Sequence, residues 1–405
     1  MKTSDGLVNM ANAILPEKLI SYDVTVAGYI SVDLTPAWHE RLCFSSFSEL
    51  LQPGHLIEMA EMEITPGGAV ANTGLALQRF RRVVYLNGLV GYDLLGDFII
   101  RHLQRQGVAE GIRQTDRAAT AYGVVIAPPG LDRIFLEHVG CNAVFGTEDI
   151  DWLAVEKSRI FHFGYPPLMP CLYSDGGIEL SSIFRRVQEV ETIVSLDMTL
   201  PDAGSPAGRI DWPAFMEQVL PAVDIFVPSI EELLYTMRPD RYAQLQADYG
   251  SHDILEAIPL SWYSELGDKI IGLGVKVLMI TAGSRGAYLQ TGDIDNWKAA
   301  AKLKLKSGNW SRRRLWASAM PVDLRRQINA TGAGDCAVAG LLAGLLEGMR
   351  IEEAAGCAML AGRDNLYGLD ALSGLPDWPG IIAELEAVKG IFVFETEKDF
   401  GKEEY

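Results

Sequence analysis

Apolar strand-like runs and helical patterns alternate along most of the chain. After the β-rich run from Asp23 to Asp33, strand-like runs recur at 83–89, 122–127, 160–163, 193–196, 225–227, 275–280 and 287–289. Between several of them lie helical patterns, at 71–80, 97–106, 212–220, 264–273 and 336–347. The alternation predicts an α/β fold in which helices cover both faces of a mostly parallel sheet, with sites at the C-terminal ends of the strands.

Two segments depart from this alternation, residues 34–66 and 118–143, which are richer in turns and in period-two patterning. The break at Pro128-Pro129-Gly130 between two strand-like runs is typical of a hairpin. We therefore expect a small β-lid over the edge of the sheet. Because a lid of this kind leaves strand edges that a partner often covers, we also expect a homodimer through the lid.

The remaining boundaries follow from changes in pattern along the chain. We interpret residues 1–21 as an N-terminal extension, 22–390 as the main domain and 391–405 as an acidic C-terminal tail. Residues 238–262 and 290–325 do not fit the strand–helix rhythm, and we interpret both segments as insertions into the main domain.

Composition narrows the classes of function. Of 405 residues, 48% are hydrophobic, which is enough for a large core and too much for a disordered protein. The 35 basic and 53 acidic residues give a net charge of −18, which argues against a general nucleic-acid binder and a polybasic membrane anchor. No run approaches the ~18 apolar residues of a spanning helix. The N-terminus lacks a secretory apolar core, so we expect a cytoplasmic protein.

The stretch 329–346 carries the strongest chemical signal. Its small residues Gly332, Ala333 and Gly334 let the backbone approach a ligand closely, and an almost wholly apolar helix follows them. The N–H groups at the start of such a helix form a site for a phosphate oxyanion. A carboxylate beside an anion, as at Asp335, suits a base that takes a proton from a hydroxyl, so the stretch favours phosphoryl transfer.

Other interpretations of this stretch stay open at this point. Asp335 could cap its helix, as Asp commonly does. Gly332, Gly334 and Ala337 also satisfy the dinucleotide-binding pattern G-x-G-x-x-A, with Glu352 about 20 residues further on. That match is weak, because a poor strand precedes it and Glu352 opens another helical pattern. A P-loop is excluded, because no G-x-x-x-x-G-K-[ST] occurs.

A second cluster lies before the first helical pattern. Gly67 and Gly68 allow backbone contact with a small polar ligand, and Asn72 offers both a donor and an acceptor one turn into the helix. Paired glycines before a helix are also common in ordinary turns. Asp33, at the end of the first strand, either binds sugar hydroxyls or caps a loop.

Two later strand ends also carry polar groups. Glu232 follows the strand at 225–227, where it would suit an outer-sphere position on Mg²⁺ or a solvated first helical turn. The segment 281–286 follows a strongly apolar strand. It offers hydroxyls and bare backbone for a nucleotide, or it forms a hairpin turn.

In order and spacing, these signals resemble the ribokinase/PfkB family of carbohydrate kinases from about Tyr22 to Asp377. The shared motifs are G-x-I-x-x-D at 28–33, G-G-x-x-x-N at 67–72, G-x-D-x-x-G at 91–96, R-x-F…G-x-N at 133–142, E-E-L at 231–233, G-S-x-G at 283–286 and T-G-A-G-D at 331–335. The last of these motifs is highly specific.

The resemblance implies a three-layer α/β/α ribokinase-like sandwich with a β-lid, which transfers the γ-phosphoryl group of ATP, with Mg²⁺, to an alcohol. It implies that Asp335 is the base and that the N–H groups of Gly332, Ala333 and Gly334 hold the developing charge. It implies that Glu232 organises Mg²⁺ through water. The implied acceptor-binding residues are Asp33, Gly67, Gly68, Asn72 and Asn142, and the implied nucleotide-binding residues are Thr281, Gly283, Gly286 and Thr331.

Two residues depart from the family pattern. Asn329 stands where many relatives have Asp, in a region that helps them hold a monovalent cation, so activation by K⁺ is in doubt. Ser229 stands where many relatives have Asn in an N-x-x-E metal motif, so the affinity for the metal could be weaker.

The leading interpretation is an ATP-dependent kinase that acts on a hydroxyl of a sugar or sugar-like substrate. The alternative is a nucleoside kinase of the same fold, for which aromatic residues that could stack a base are present at Phe44, Phe47, Tyr122 and Phe135. A sugar- or nucleotide-sensing relative without catalysis is a further alternative, although the intact T-G-A-G-D argues against it.

Overall fold

Two sheets and their covering helices make up the described part of the chain. The structure is a computed structural model, and it describes residues 21–39, 42, 44–129, 131, 133–250, 254–323, 325–326, 329–368, 370–388 and 394–396. The strands are β1 Tyr22–Gly28, β2 Ser31–Pro36, β3 Met62–Gly67, β4 Val84–Gly91, β5 Ile112–Thr115, β6 Tyr122–Ile126, β7 Ile134–His138, β8 Ser158–Gly164, β9 Ile193–Asp197, β10 Ile225–Phe226, β11 Val277–Thr281, β12 Gly286–Thr291, β13 Arg314–Ser318 and β14 Phe394–Thr396.

The α-helices lie mostly between these strands, as the alternation in the sequence predicts. They are α1 Phe47–Leu50, α2 Gly68–Arg79, α3 Leu94–Gln106, α4 Trp152–Glu156, α5 Pro170–Tyr173, α6 Ile178–Glu189, α7 Trp212–Val219, α8 Ile230–Met237, α9 Pro239–Tyr249, α10 Ile254–Ala257, α11 Leu260–Leu273, α12 Ser307–Trp310, α13 Ala333–Leu346, α14 Ile351–Asn365 and α15 Trp378–Val388. Within the described ranges, no helix has the length and apolar character needed to cross a membrane.

The main sheet has ten strands in the order β14-β13-β12-β11-β10-β9-β8-β1-β4-β5. Strands β5, β4, β1, β8, β9, β10 and β11 pair in parallel, whereas β12, β13 and β14 are antiparallel. One buried apolar cluster joins the sheet to α2, α3, α13, α14 and α15, and a second joins it to α4, α6, α7, α8 and α11. The three-layer α/β/α arrangement with a mostly parallel sheet is therefore confirmed.

The order of the parallel strands reverses at β1, which lies between β4 and β8. Gly28, the last residue of β1, pairs with Gly164, the last residue of β8. A Cβ atom on Gly28 would lie 2.4 Å from the carbonyl oxygen of Gly164, and Gly28 has φ +117°, so only glycine fits there. Tyr29 and Tyr165 follow the two glycines, and their ring centroids are 6.3 Å apart. Ligands bind at such reversal points in open α/β sheets.

The second sheet has four strands in the order β3-β2-β6-β7 and forms the lid. Strand β2 is antiparallel to β3 and parallel to β6, and β6 forms a hairpin with β7. These strands lie in or beside the predicted lid segments, 34–66 and 118–143. The small β-lid expected from the sequence is therefore present.

The structure departs from two of the predicted boundaries. Within the segment 290–325, which we interpreted as an insertion, Arg314–Ser318 forms β13 and pairs with β12 in the main sheet. Within the predicted tail 391–405, Phe394–Thr396 forms β14 on the edge of β13. Both segments are short, five and three residues, and pairing with an existing sheet edge defines them as strands. The predicted extension lies outside the described residues except for Ser21, whereas 238–262 contains α9 and α10.

Candidate active site

Asp335 lies in the first turn of α13 and is buried, with 3% of its surface exposed. Its Oδ2 accepts hydrogen bonds from Nδ2 of Asn72 at 3.1 Å and from the hydroxyl of Tyr165 at 2.7 Å. Its Oδ1 accepts one from the hydroxyl of Thr73 at 3.0 Å. The helix cap is Gly332, with φ 74°, so Asp335 does not cap its own helix. Because a carboxylate oxygen accepts two hydrogen bonds, Oδ1 can accept one more.

Burial raises the pKa of Asp335, and the hydrogen bonds from Tyr165, Asn72 and Thr73 act in the opposite direction. The carboxylate is therefore fixed in place by three donors, yet it is more basic than an exposed Asp. A base at the end of a buried helix with a raised pKa is suited to receive a proton from a hydroxyl.

The backbone before Asp335 presents fewer N–H groups than the sequence predicts. The N–H of Ala333 donates to the carbonyl oxygen of Ala330 at 3.2 Å, because the chain forms a turn there before the helix begins. The N–H groups of Gly332 and Gly334 have no acceptor among the described residues. A Cβ atom on Gly334 would meet nothing within 4 Å, so this glycine borders open space. Gly332 and Gly334 therefore remain available to an anion, whereas Ala333 does not.

A cavity of about 140 Å³ opens beside these groups, and we call it the phosphoryl cavity. Three carboxylate residues line it, Asp197 at the end of β9, Glu232 in the first turn of α8, and Asp335. The lining also includes Tyr165, Met198, Thr199, Val227, Ser229, Thr281, Gly332, Gly334 and Val338. The cavity thus lies where β8, β9, β10 and β11 end, at the C-terminal edge of the sheet.

Burial and nearby negative charges raise the pKa of acidic residues in this cavity. Burial raises the pKa of Asp197 well above its usual value, and the charges of Glu232 and Asp335 raise it further. Burial likewise raises the pKa of Glu232 to about 7, against hydrogen bonds from Ser229. The N–H of Ser229 donates to Oε2 of Glu232 at 2.7 Å, in a capping box that fixes this side chain. Among the described residues, no Lys or Arg forms an ion pair with any of the three carboxylates.

Carboxylate oxygens without a compensating cation are the donor set that Mg²⁺ prefers. Across the described ranges, no three His, Cys, Asp or Glu side chains lie close enough together to hold a metal ion directly. The carboxylates of Glu232 and Asp197 fit Mg²⁺ and would hold it partly through its own waters. Mg²⁺ usually keeps several of its waters in proteins, which agrees with this arrangement.

The predicted acceptor residues gather on the lid side of Asp335. A Cβ atom on Gly67 would lie 2.2 Å from Oδ1 of Asp33, so glycine leaves the space that this carboxylate occupies. Gly68 has φ +79°, and its Cβ would lie 2.7 Å from the carbonyl oxygen of Tyr29. Oδ1 of Asn72 is buried and has no hydrogen-bond partner among the described residues. Burial raises the pKa of Asp33 to about 7, and the charges of Glu137 and Asp335 also raise it.

The side chain of Asn142, on the lid side of the site, forms hydrogen bonds to backbone groups. Its Nδ2 donates to the carbonyl oxygens of Ile30 at 2.9 Å and Val139 at 3.0 Å, and its Oδ1 accepts from the N–H of Ile30 at 3.1 Å. The side chain is fully buried. These contacts satisfy backbone groups between β1 and β2 that have no strand partner there. Asn142 therefore joins the lid to the core, and its amide is occupied within the fold.

The predicted nucleotide residues divide into two groups. Thr281 lines the phosphoryl cavity at the end of β11. Gly286 has φ +110°, and its Cβ would lie 2.1 Å from the carbonyl oxygen of Ala317, so this glycine allows β12 to pair with β13. Gly283 begins the short turn between β11 and β12. Thr331 donates its N–H to Oδ1 of Asn329 at 3.0 Å. Gly283, Gly286 and Thr331 thus shape the surrounding loops and are absent from the cavity lining.

The structure brings four further residues to the candidate site that the sequence reasoning missed. Asp197 is the last residue of the buried apolar strand β9. Asp33 was selected because it is an acidic residue at the end of a strand, and the same criterion would have found Asp197. Thr73 directly follows Asn72, and the helix turns both side chains toward Asp335. Tyr165 has φ 64°, a left-handed conformation that is uncommon outside glycine, and no sequence signal indicates it. Glu137, on the lid strand β7, is not one of the residues that define a sequence motif.

The dinucleotide interpretation of the late glycines is contradicted. Glu352 lies in the first turn of α14, where it forms an ion pair with Arg313 at 2.6 Å. An acidic residue that binds the ribose of a dinucleotide lies at the end of a strand that neighbours the first one. Glu352 is therefore a structural partner of Arg313.

Comparisons with known proteins agree with this geometry. The family described as pfkB family carbohydrate kinase matches residues 42–363. An uncharacterized sugar kinase of Archaeoglobus fulgidus is 24% identical over 291 residues, which cover 71% of this chain and 93% of the relative. The protein named Probable fructokinase-4 of Arabidopsis thaliana is 23% identical over 303 residues, covering 71% of this chain and 75% of the relative.

Solved structures share the fold. The ribokinase of Arabidopsis thaliana, in complex with ribose and ATP, has a TM-score of 0.63 at 19% identity and covers 90% of this chain and 99% of its own. An E. coli ribokinase II candidate, in complex with ATP and Mg²⁺, has a TM-score of 0.64 at 19% identity and covers 91% of this chain and 100% of its own. The chain therefore belongs to the pfkB family of carbohydrate kinases, which are phosphotransferases with an alcohol group as acceptor.

Proposed function

We propose that the protein transfers the γ-phosphoryl group of Mg·ATP to a hydroxyl of a sugar or sugar-like acceptor, with Asp335 as the base. The observation that carries this proposal is the Asp335 carboxylate, which is buried beside the phosphoryl cavity and held by three donors. Its Oδ1 can accept one further proton donor. That atom is the group to which we assign the proton of the acceptor hydroxyl.

The residues around Asp335 position the acceptor for this transfer. The unpartnered Oδ1 of Asn72 would accept a hydrogen bond from one acceptor hydroxyl, and Asp33 would accept others. Gly67 and Gly68 leave space for the acceptor to approach the backbone. As proton transfer proceeds, the N–H groups of Gly332 and Gly334 would stabilise negative charge on the transferred group.

The nucleotide would enter from the side of Thr281, at the other end of the cavity. Bound Mg²⁺ would supply the charge that neutralises the phosphate oxygens. Glu232 and Asp197 would hold the hydrated ion, and the capping box with Ser229 would keep the Glu232 side chain in place. Relatives of this fold were solved with ribose and ATP and with ATP and Mg²⁺, which supports the same cosubstrates here.

The first experiment is ADP release from Mg·ATP with a panel of about a dozen acceptors, drawn from pentoses, hexoses, keto-deoxy acids and nucleosides. We expect one class of acceptor to support turnover. Each reaction is run with and without K⁺, and we expect no activation, because Asn329 replaces a carboxylate and its Oδ1 already accepts the N–H of Thr331. ATP binding without turnover on any acceptor would contradict the proposal and favour a sensing role.

A nucleoside is the second candidate for the acceptor, and one observation favours it. Phe135 lies two residues before Glu137 on β7, so both side chains point to the same face of the lid. The Phe135 side chain is 48% exposed, and the guanidinium of Arg133 lies over one face of its ring at 5.6 Å, so the other face could stack on a base. Turnover with a nucleoside, and a large loss of that turnover in Phe135→Ala, would establish this alternative.

We also propose a homodimer through the opposite face of the lid. Exposed apolar side chains share that face, since register places them at alternate positions on paired strands: Met62, Ile64, Tyr122 and Leu136. Exposed contiguous apolar side chains of this kind mark interaction surfaces. Light scattering tests the proposal, because Leu136→Asp should convert a dimer of the wild-type chain to a monomer. A wild-type monomer at micromolar concentration would contradict it.

A further inference from the structure

A second acidic residue faces the same space as Asp33. In the lid, Gly123 pairs with Asp33 on one side and with Glu137 on the other, so the three residues share one face of the sheet. A Cβ atom on Gly123 would lie 2.6 Å from Oε2 of Glu137 and 3.7 Å from Oδ1 of Asp33. Both carboxylates therefore flank the space above Gly123. We call Ser31, Asp33, Thr65, Gly67, Gly123 and Glu137 the acceptor face of the lid, because register places them on one side.

The position of Glu137 is fixed by a contact with the core. The hydroxyl of Tyr29, a residue that is 1% exposed, donates to Oε1 of Glu137. The ring of Tyr29 lies beside that of Tyr165, whose hydroxyl donates to Asp335. Glu137 thus belongs to a continuous set of contacts that ends at the proposed base. Its Oε2 is directed toward the space that it shares with Asp33.

Among the described residues, Arg133 brings a positive charge near this face, with its guanidinium 5.6 Å from the centre of the Phe135 ring. No Lys or Arg of these residues forms an ion pair with Asp33 or Glu137, and the charged groups that act on Asp33 are Glu137 and Asp335. An ionised carboxylate has only acceptor atoms, so in that form each of these groups binds a ligand that donates hydrogen. A phosphate or carboxylate on the acceptor would add a like charge at close range without gaining a hydrogen bond from either ionised group.

We propose that Glu137 determines acceptor specificity: together with Asp33, it excludes acceptors that carry a phosphate or carboxylate and binds acceptors through a hydroxyl or a protonated amine. This inference rests on the proposed function, because it assigns a substrate class to the same site. Hydroxyls and protonated amines both donate hydrogen bonds to a carboxylate, and the experiment below distinguishes between them.

The test compares three acceptors that differ in charge, D-fructose, 1-amino-1-deoxy-D-fructose and 2-keto-3-deoxy-D-gluconate, with the full chain and its Glu137→Gln variant. In the wild type, we expect the neutral and the amino acceptor to exceed the keto acid in kcat/KM by about 100-fold or more. In Glu137→Gln, we expect that margin to shrink at least roughly 10-fold, because one like charge is removed. In this variant, kcat/KM should fall more for the amino acceptor than for the neutral one.

Two controls separate specificity from folding. Glu61→Gln changes an exposed carboxylate next to β3 and should leave all three ratios unchanged. Tyr29→Phe keeps the ring and removes the donor to Glu137, so it should shift the ratios in the same direction as Glu137→Gln, by a smaller factor. If Glu137→Gln fails to fold, the same measurements on Tyr29→Phe test the proposal instead.

Calorimetric binding of the three compounds to the protein saturated with Mg·ADP gives the same ranking without turnover. A chain that binds the neutral and amino compounds but never phosphorylates them would refute the proposed function and support this inference. Equal use or binding of the keto acid in the wild type would overturn the inference, and so would unchanged ratios in Glu137→Gln. Failure of all three compounds to bind would overturn it as well.

Discussion

The phosphoryl cavity and the acceptor face of the lid concentrate carboxylates in different ways. In the phosphoryl cavity, Asp197, Glu232 and Asp335 come from strand ends and first helical turns, and neighbouring donors hold Glu232 and Asp335 in place. On the acceptor face, Asp33 and Glu137 meet through strand pairing across Gly123. The first site depends on local segments that each carry a signal. The second depends on register between strands that are far apart in sequence.

Under the proposed function, this difference would give the two sites separate tasks. The phosphoryl cavity would supply the fixed base and the carboxylates for Mg²⁺, whichever acceptor is used. The acceptor face would select the molecule presented to that base. Substitutions in the cavity should therefore change kcat or the need for metal, whereas substitutions on the acceptor face should change KM and selectivity.

The largest effect should come from Asp335→Asn, which keeps the shape of the side chain but cannot take a proton. We expect turnover to fall by roughly 10²–10⁴-fold, the usual scale for a lost general base. Nucleotide affinity, measured by calorimetry, should change little. Asp211→Asn, which retains a capping side chain on α7 and is not part of the cavity lining, is the matched control. A loss of only a few-fold would refute the assignment of the base.

The next largest effect should come from Gly67→Ala, because the added Cβ would lie 2.2 Å from Oδ1 of Asp33. The carboxylate must move, so we expect KM for the acceptor to rise about 10- to 100-fold while KM for ATP is unchanged. Gly272→Ala is the control, since its Cβ would meet nothing within 4 Å. If KM for ATP rose as much as KM for the acceptor, the two sites would not be separate.

Glu232→Gln should raise the Mg²⁺ concentration for half-maximal activity by roughly 10-fold, because groups that orient bound water typically contribute that much to metal affinity. Titration of activity with Mg²⁺ at saturating ATP and acceptor measures the change. Acceptor KM should stay constant. Glu231→Gln, one residue earlier on α8, is the control. An unchanged Mg²⁺ requirement would remove Glu232 from the metal site.

The smallest effect concerns stability and pH. Burial raises the pKa of Asp33 and of Glu232 to about 7, well above the values of an unfolded chain. Between about pH 5 and 7 the folded protein binds more protons than the unfolded chain, so stability falls as pH rises through this window. We expect Tm to decrease by a few degrees from pH 5.5 to 8. Mg·ADP should lessen the decrease, and a Tm that rises with pH would contradict the argument.

The sequence predicted the phosphoryl cavity better than the acceptor face. The motif T-G-A-G-D placed Asp335 at the start of a buried helix, and strand–helix alternation placed that helix at the C-terminal edge of the sheet. Asp335, Gly332 and Gly334 could be named because each belongs to a contiguous segment with a restricted backbone. For Ala333 and Asn142, the sequence did not indicate the contacts that the structure shows. The N–H of Ala333 donates to a backbone carbonyl in a turn, and the amide of Asn142 donates to backbone carbonyls.

The sequence alone determined the three-layer fold, the position of the late helix and the carboxylate at its start, because periodicity and glycine placement act within one segment. Only the tertiary structure decided that Tyr165 and Thr73 hold that carboxylate, that Asp197 joins Glu232, and that Glu137 faces Asp33. These contacts join residues that are far apart in the chain. Their geometry follows from strand order and register, which no local pattern encodes.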